Sequence, residues 1–178
     1  VHEREIKERI GFVSGGAEFY PRSKLRAITD VSRAYYRNWD EKSYRENLKR
    51  FSLDENKTPA QLSAGMKVKY ALTLALSHHA ELLLLDEPTS GLDPVSRDDL
   101  LDEFLHLSRD EEISILFSTH ITSDLDKCAD DISYLRAGRI AGSGMLEDFV
   151  KAYRTVSFDD AELKEEQKKL LIGIKRAK

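Results

Sequence analysis

At 178 residues the chain fits one domain with a real core, and 34 % charged residues with a net charge of −4 exclude neither folding nor solubility. Its one cysteine, Cys128, excludes an internal disulfide and points to a reducing compartment. No apolar run approaches the roughly 18–20 residues of a membrane span, and the opening VHEREIKERI has no signal-peptide core; the expected location is the cytoplasm, with any membrane contact made through a partner.

Ile10–Val13 reads as a short strand that stops at the turn Ser14-Gly15-Gly16. Helices are predicted over residues 24–37 and 40–51, the second capped by Asn38 or Asp40 and carrying Tyr44, Leu48 and Phe51 at helical spacing. Another helix runs from Leu62 to Ser77 and opens at Ser63. The four leucines Leu82–Leu85 predict a strand buried on both faces. Asp93-Pro94 then starts a helix, with Asp as N-cap, Pro at the first helical position and Leu100, Leu101, Phe104 and Leu105 as its apolar stripe. Ile113–Ser118 is the next strand, residues 122–129 the next helix, and Ile132–Arg136 with Arg139–Ser143 a hairpin joined by Ala137-Gly138. Residues 145–154 look helical, and 153–178 mix a short β-type run with a charged helical piece. Strands alternating with helices give an α/β class with a largely parallel sheet, interrupted by helices between residues 22 and 78.

Charge is unevenly spread. Residues 22–50 hold nine Lys/Arg against four Asp/Glu, and residues 81–131 hold three basic against fifteen acidic residues. Two solvated faces account for this; the sharper alternative turns the basic segment toward anionic lipid headgroups or a membrane partner.

The chemistry concentrates in LLLLDEPTSGLD, residues 82–93. A strand that delivers two carboxylates at its C-terminal end can present one, Asp86, to a Mg²⁺ bridging phosphates and the other, Glu87, to an attacking water. The plain alternative is an ordinary strand-to-loop boundary. Ser63, Ala64 and Gly65 open a helix with free backbone N–H groups that suit phosphate oxygens, or form a simple N-cap. His120, between a β-type run and a helix, can donate to a terminal phosphate. Asp93 can cap its helix in any case. His2, His78, His79 and His106 show no ligand spacing, and the His78-His79 pair reads as a surface helix end.

In this order LSAGM (62–66), LLLLDEPTSGLD and LFSTH (116–120) closely resemble the ATP-binding subunit of an ABC transporter. The details AYYRNWDEKSYRENLKRF and LFSTHITSDLDK look most like the YtrB-like bacterial exporters. The resemblance implies a P-loop NTPase-like α/β core over residues 1–150, with a helical subdomain over about 17–78 and a C-terminal extension over 151–178. It implies ATP and Mg²⁺ as ligands, a second ATPase subunit in a head-to-tail dimer, and a transmembrane permease docked near residues 17–50, which would hold the protein at the inner face of the membrane. Asp86 would hold the metal through water, Glu87 would be the general base, and His120 the switch histidine. Ser63, Ala64 and Gly65 match the signature loop, usually LSGGQ, with Ala64 and Met66 departing from it. Ser90, Gly91 and Asp93 match the D-loop, and Gly15 stands where the family has its Q-loop glutamine, with Glu18 nearby as a substitute.

The phosphate-cradling GxxxxGK[ST] occurs nowhere in the sequence. The resemblance therefore implies a fragment without the P-loop, inactive alone. An ABC ATPase acting on DNA or ribosomes is an alternative, disfavoured by the absence of coiled-coil insertions, tandem cassettes or a strongly basic domain. A non-catalytic partner or regulatory fragment is another.

Overall fold

A computed structural model describes residues 2–14 and 20–152. Its centre is a parallel sheet of β1 (Ile10–Ser14), β2 (Leu82–Asp86) and β3 (Ser114–Ser118) in that order. The register sets Ser14, Asp86 and Ser118 level, so the strands finish along one edge. Side chains alternate across the pleat. Gly11, Val13, Leu83 and Leu85 are buried on one face, with Ile115 and Phe117 half-buried beside them.

Helices α4 (Ala64–Ser77) and α5 (Pro94–Arg109) supply the core against that face, with Val68, Leu72, Leu76, Leu100, Leu101, Phe104 and Leu107 all buried. The apolar stripe of α5 thus takes Leu107 fully, where Leu105 was expected, and leaves Leu105 half-buried. Helical spacing explains it: Leu100, Phe104 and Leu107 stand at the i, i+4, i+7 positions of one helix face. Gly11 is required where α4 crosses β1, since a Cβ there would lie 2.5 Å from the Ala75 Cβ and 2.7 Å from Leu83 Cδ2.

The opposite sheet face corrects the expectation of a strand buried on both sides. Phe12, Leu84 and Leu116 pair across the strands, yet Phe12 is 69 % and Leu116 65 % exposed, and Leu82 and Leu84 are only half-buried. The leucine run is hydrophobic enough for two covered faces, but among the described residues the core helices lie on one.

Helices α2 (Leu25–Tyr35) and α3 (Glu41–Arg50) precede α4. Asp40 caps α3 by accepting from the Lys42 and Ser43 amides at 2.8 and 3.1 Å. Thr29, Tyr44 and Tyr70 join the three helices through buried hydroxyls 2.8–3.0 Å apart, and burial pushes the Tyr44 phenol up to about 12. Some basic residues of this stretch are ion-paired within the protein: Arg33 to Asp30 and Glu41, Arg45 to Glu41, and Arg50 to Glu103 and Glu111.

The charged N-terminus holds a helix that the apolar pattern does not announce. α1 (Glu3–Glu8) carries i,i+4 pairs, Lys7 to Glu3 at 2.6 Å and Arg4 to Glu8 at 3.2 Å. After β3 comes α6 (Thr122–Cys128).

The chain divides into two compact units, Val1–Ala129 and Asp130–Lys178. Taken by itself, the second holds the antiparallel hairpin of β4 (Asp131–Arg136) and β5 (Arg139–Met145), followed by α7 (Leu146–Ala152). Ala137 and Gly138, at φ of 50° and 73°, form the two-residue turn with the left-handed backbone such hairpins prefer. The expected structure beyond residue 152 lies outside the described residues.

Candidate functional site

The C-terminal edge of the parallel sheet gathers the chemistry. Asp86 closes β2 with its carboxylate exposed. Ser118, level with it on β3, donates its hydroxyl to Asp86 Oδ1 at 2.7 Å and accepts the Glu87 amide at 2.9 Å. His120, two residues further on, has its Nδ1 2.8 Å from Glu87 Oε2. A carboxylate can only accept, so the imidazole donates from Nδ1 and turns Nε2 away from Glu87. Its side chain is 70 % exposed and that of Glu87 36 %, leaving the couple open to a ligand.

Glu87 holds this position at a φ of +47°, a left-handed conformation that costs a non-glycine residue on the order of 1–3 kcal/mol. Pro88 and Thr89 follow, both buried, and the turn tightens as the Ser90 amide bonds the Glu87 carbonyl at 3.1 Å. Gly91 takes a φ of +72°, which suits glycine. Asp93 then caps α5 by accepting from the Val95 and Ser96 amides at 3.1 and 3.0 Å. Bonds from the Ser96 side chain and backbone hold the Asp93 carboxyl below the usual carboxylate range.

Ser63, Ala64 and Gly65 stand apart from the acid pair, at the start of α4. Ser63 is the N-cap, its hydroxyl accepting from the Met66 amide at 3.2 Å. Ala64 is exposed, and Gly65 is buried against the start of α5, where a Cβ would lie 3.6 Å from Ser96 Cβ and 3.8 Å from Leu92 Cδ2. Gly15, with Glu18, lies outside the described residues.

His78 corrects the expectation of a surface helix end. It is 2 % exposed, its ring stacks on Tyr36 at 3.7 Å and 5°, and its Nδ1 donates to the Glu8 carbonyl at 3.1 Å. Burial pushes its pKa down. The reason is that α1 and the end of α2 close over it, and neither contact is visible from the HH dipeptide. His79 is exposed and sits at a φ of +58°.

Ser118 is the member of the cluster that the sequence reading missed. The signal was its position: the last residue of a strand flanking the one that ends in Asp86.

Among the described residues no group of three or more His, Cys, Asp and Glu is arranged to hold a metal ion. The donor set fits Mg²⁺ of a particular kind. Asp86 spends one oxygen on Ser118 and keeps the other toward solvent, suiting an ion that takes its remaining ligands from phosphate and water.

A family model described as "AAA domain, putative AbiEii toxin, Type IV TA system" matches residues 16–125. The ABC transporter ATP-binding protein YtrB of Bacillus subtilis (strain 168) is 27 % identical over 149 residues, 84 % of this chain and 51 % of that protein. The ABC transporter ATP-binding protein NatA of the same organism is 32 % identical over 157 residues, 85 % of this chain and 63 % of that protein. Among solved structures, an ATP-binding subunit of an ABC transporter superposes with a TM-score of 0.69 at 25 % identity, over 84 % of this chain and 64 % of that one. The dimeric post-hydrolysis state of the ATP-binding cassette MJ0796 with ADP and Pi gives 0.68 at 24 % identity, over 81 % and 66 %, and shows the shared fold. The chain spans between about half and two thirds of the length of these relatives.

Proposed function

We propose that the chain, which belongs to the AAA-domain family of its model and is similar to ATP-binding subunits of ABC transporters, is the ATP-hydrolysing part of a transporter, working on ATP with Mg²⁺ beside a permease and a second ATPase subunit. The observation that carries this reading is the 2.8 Å contact between His120 and Glu87 one residue beyond the exposed Asp86.

Magnesium would be held by Asp86 and would supply charge neutralisation on the phosphates of ATP. Glu87 is the general base: its carboxylate accepts a proton from water while the His120 Nδ1–H holds Oε2 in place. In the imidazolium form, the outward Nε2–H of His120 would be a second donor, which a terminal phosphate could accept. Ser118 orients both acids, fixing Asp86 by its hydroxyl and Glu87 by its backbone. Ser63 and Gly65 would contact nucleotide held mainly by the opposing subunit, with Ala64 permitting close backbone approach. Ser90, Gly91 and Asp93 would carry the contact between the two subunits. Gly15, or Glu18 three residues later in the sequence, would stand at the coupling to the permease, and the membrane would be reached through that permease from the cytoplasmic side. Among the described residues no helix is long and apolar enough to cross a membrane. Export is the direction we assign, on the likeness of residues 34–51 and 116–127 to YtrB-like proteins.

In the assembled transporter, Glu87→Gln is expected to lower ATP turnover by about 10²–10⁴-fold, the range of general-base catalysis. Unchanged turnover would remove the base assignment. A second reading rests on the sequence itself: no GxxxxGK[ST] segment occurs in the 178 residues. Such a segment supplies most phosphate contacts in this chemistry. The 178-residue polypeptide alone is therefore expected to bind Mg-ATP weakly and hydrolyse it negligibly. Micromolar affinity by calorimetry would overturn that expectation.

A further inference from the structure

We propose that Asp124 is a positioning residue that holds the Glu87–His120 couple and ties it to the turn Ser90–Asp93. The proposal rests on the roles given above to Glu87 and His120.

Asp124 lies in the first turn of α6 and is 0 % exposed. A buried carboxylate is costly unless its oxygens are bonded and its charge is met. Both conditions hold. Oδ2 accepts from Thr89 Oγ1 at 2.7 Å and from Thr119 Oγ1 at 3.3 Å, while Oδ1 accepts from Arg97 Nε at 2.6 Å. Arg97 also pairs with Asp124 through Nη2 and donates from it to Ser123 Oγ at 2.6 Å.

The partners are placed at the joints of the site. Thr89 is buried, stands two residues after Glu87, and its carbonyl accepts from the Leu92 amide at 3.3 Å, so it roots the turn that carries Ser90 and Gly91. Thr119 directly precedes His120, and its hydroxyl accepts from the Ile121 amide at 3.0 Å, bracketing the histidine on both sides. Arg97 sits in the first turn of α5, just past Asp93. One carboxylate therefore joins the turn after the general base, the loop of the histidine and the start of α5. Glu87 and His120 come from different strands, and the distance between them depends on how these two loops are set against each other. A shift of the Ser90–Asp93 turn pulls Thr89, moves Asp124, and through Thr119 re-aims His120.

The test uses the full 178-residue chain with ¹⁵N-labelled histidine at about pH 8, above the ordinary histidine pKa. Imidazole nitrogen shifts report which nitrogen of His120 bears the proton. Wild type is expected to show a single Nδ1–H form. Thr89→Val and Thr119→Val each remove one hydroxyl and leave the Asp124–Arg97 pair intact, so folding is expected to survive even if Asp124→Ala unfolds. Both are expected to release His120 into a mixture of tautomers, with Thr119→Ser restoring the single form. In the assembled transporter, Thr119→Val is expected to lower kcat about 10–100-fold through misplacement, with KM for ATP within about twofold of wild type. Folded Thr89→Val and Thr119→Val proteins that keep the wild-type His120 tautomer overturn the proposal, even if their Tm falls. Tautomer release alongside a Glu87→Gln protein that turns over normally would leave the positioning role standing and remove the catalytic reading. A normal tautomer alongside an inactive Glu87→Gln protein would do the reverse.

Discussion

The end of β2 and the start of α4 both present short polar segments to solvent, and both match motifs of the same family, yet they are held differently. At α4, folding alone explains the residues. Ser63 caps a helix, and Gly65 lets that helix sit against Leu92 and Ser96. At β2, folding alone does not. Asp86 is exposed, and Glu87 occupies a left-handed conformation that a stability-driven turn would give to glycine. A serine collects both Glu87 and Asp86 into one cluster, and a histidine holds Glu87. Ser52, His79, Glu112 and Ala137 share the left-handed conformation, so what sets the end of β2 apart is the bonding of its two acids to Ser118 and His120, whereas a good cap is compatible with function but does not argue for it.

Substitutions can break this contrast or sharpen it. The largest expected effect is the loss of turnover in Glu87→Gln given above, with stability nearly unchanged. A Tm drop of many degrees in that variant would mean that Glu87 is a structural residue after all. Gly11→Ala should destabilise the chain by about 1–3 kcal/mol, because its new methyl overpacks the α4–β1 contact. Chemical denaturation of the 178-residue chain measures it, and a value near zero would contradict the close approach to Ala75. Glu87→Gly should raise stability by about 1 kcal/mol through relief of the positive φ, while Ser63→Ala should lower it by about 1 kcal/mol through loss of the cap. Opposite signs in the same melting series are the signature of the contrast, and equal signs would erase it.

The smallest effect concerns pH. His78 is held neutral in the fold because burial lowers its pKa, while in the unfolded chain it titrates near 6.5. As pH falls below 6.5 the unfolded state binds the proton and the folded state does not, so stability declines toward the depressed folded value. His78→Phe, which retains the stack on Tyr36, should flatten the stability profile between about pH 7 and 5. An unaltered slope would contradict the buried neutral ring.

Much of the site was legible because its elements are local. Asp93-Pro94 and Ser63 announce their helices, Ala137-Gly138 announces its turn, and the acids follow directly from the leucine run. What escaped was set by contacts distant in sequence. Ser118 joins the cluster only because β3 pairs in register with β2, 32 residues away from Asp86. His78 is buried only because the chain returns with Glu8 and Tyr36. The leucine run promised two covered faces, and apolarity alone cannot say on which sides helices will lie. The helix α1 was hidden because its stabilisation comes from charge pairs and not from an apolar stripe.

The most direct test adds Mn²⁺ with ATP, at concentrations that compensate for weak binding, to the isotope-labelled 178-residue chain and maps the paramagnetic broadening. The expected result is broadening centred on Asp86, Ser118 and His120 that disappears in Asp86→Asn. Broadening centred on the acidic stretch of α5, or left unchanged by Asp86→Asn, would contradict a nucleotide site at the end of β2.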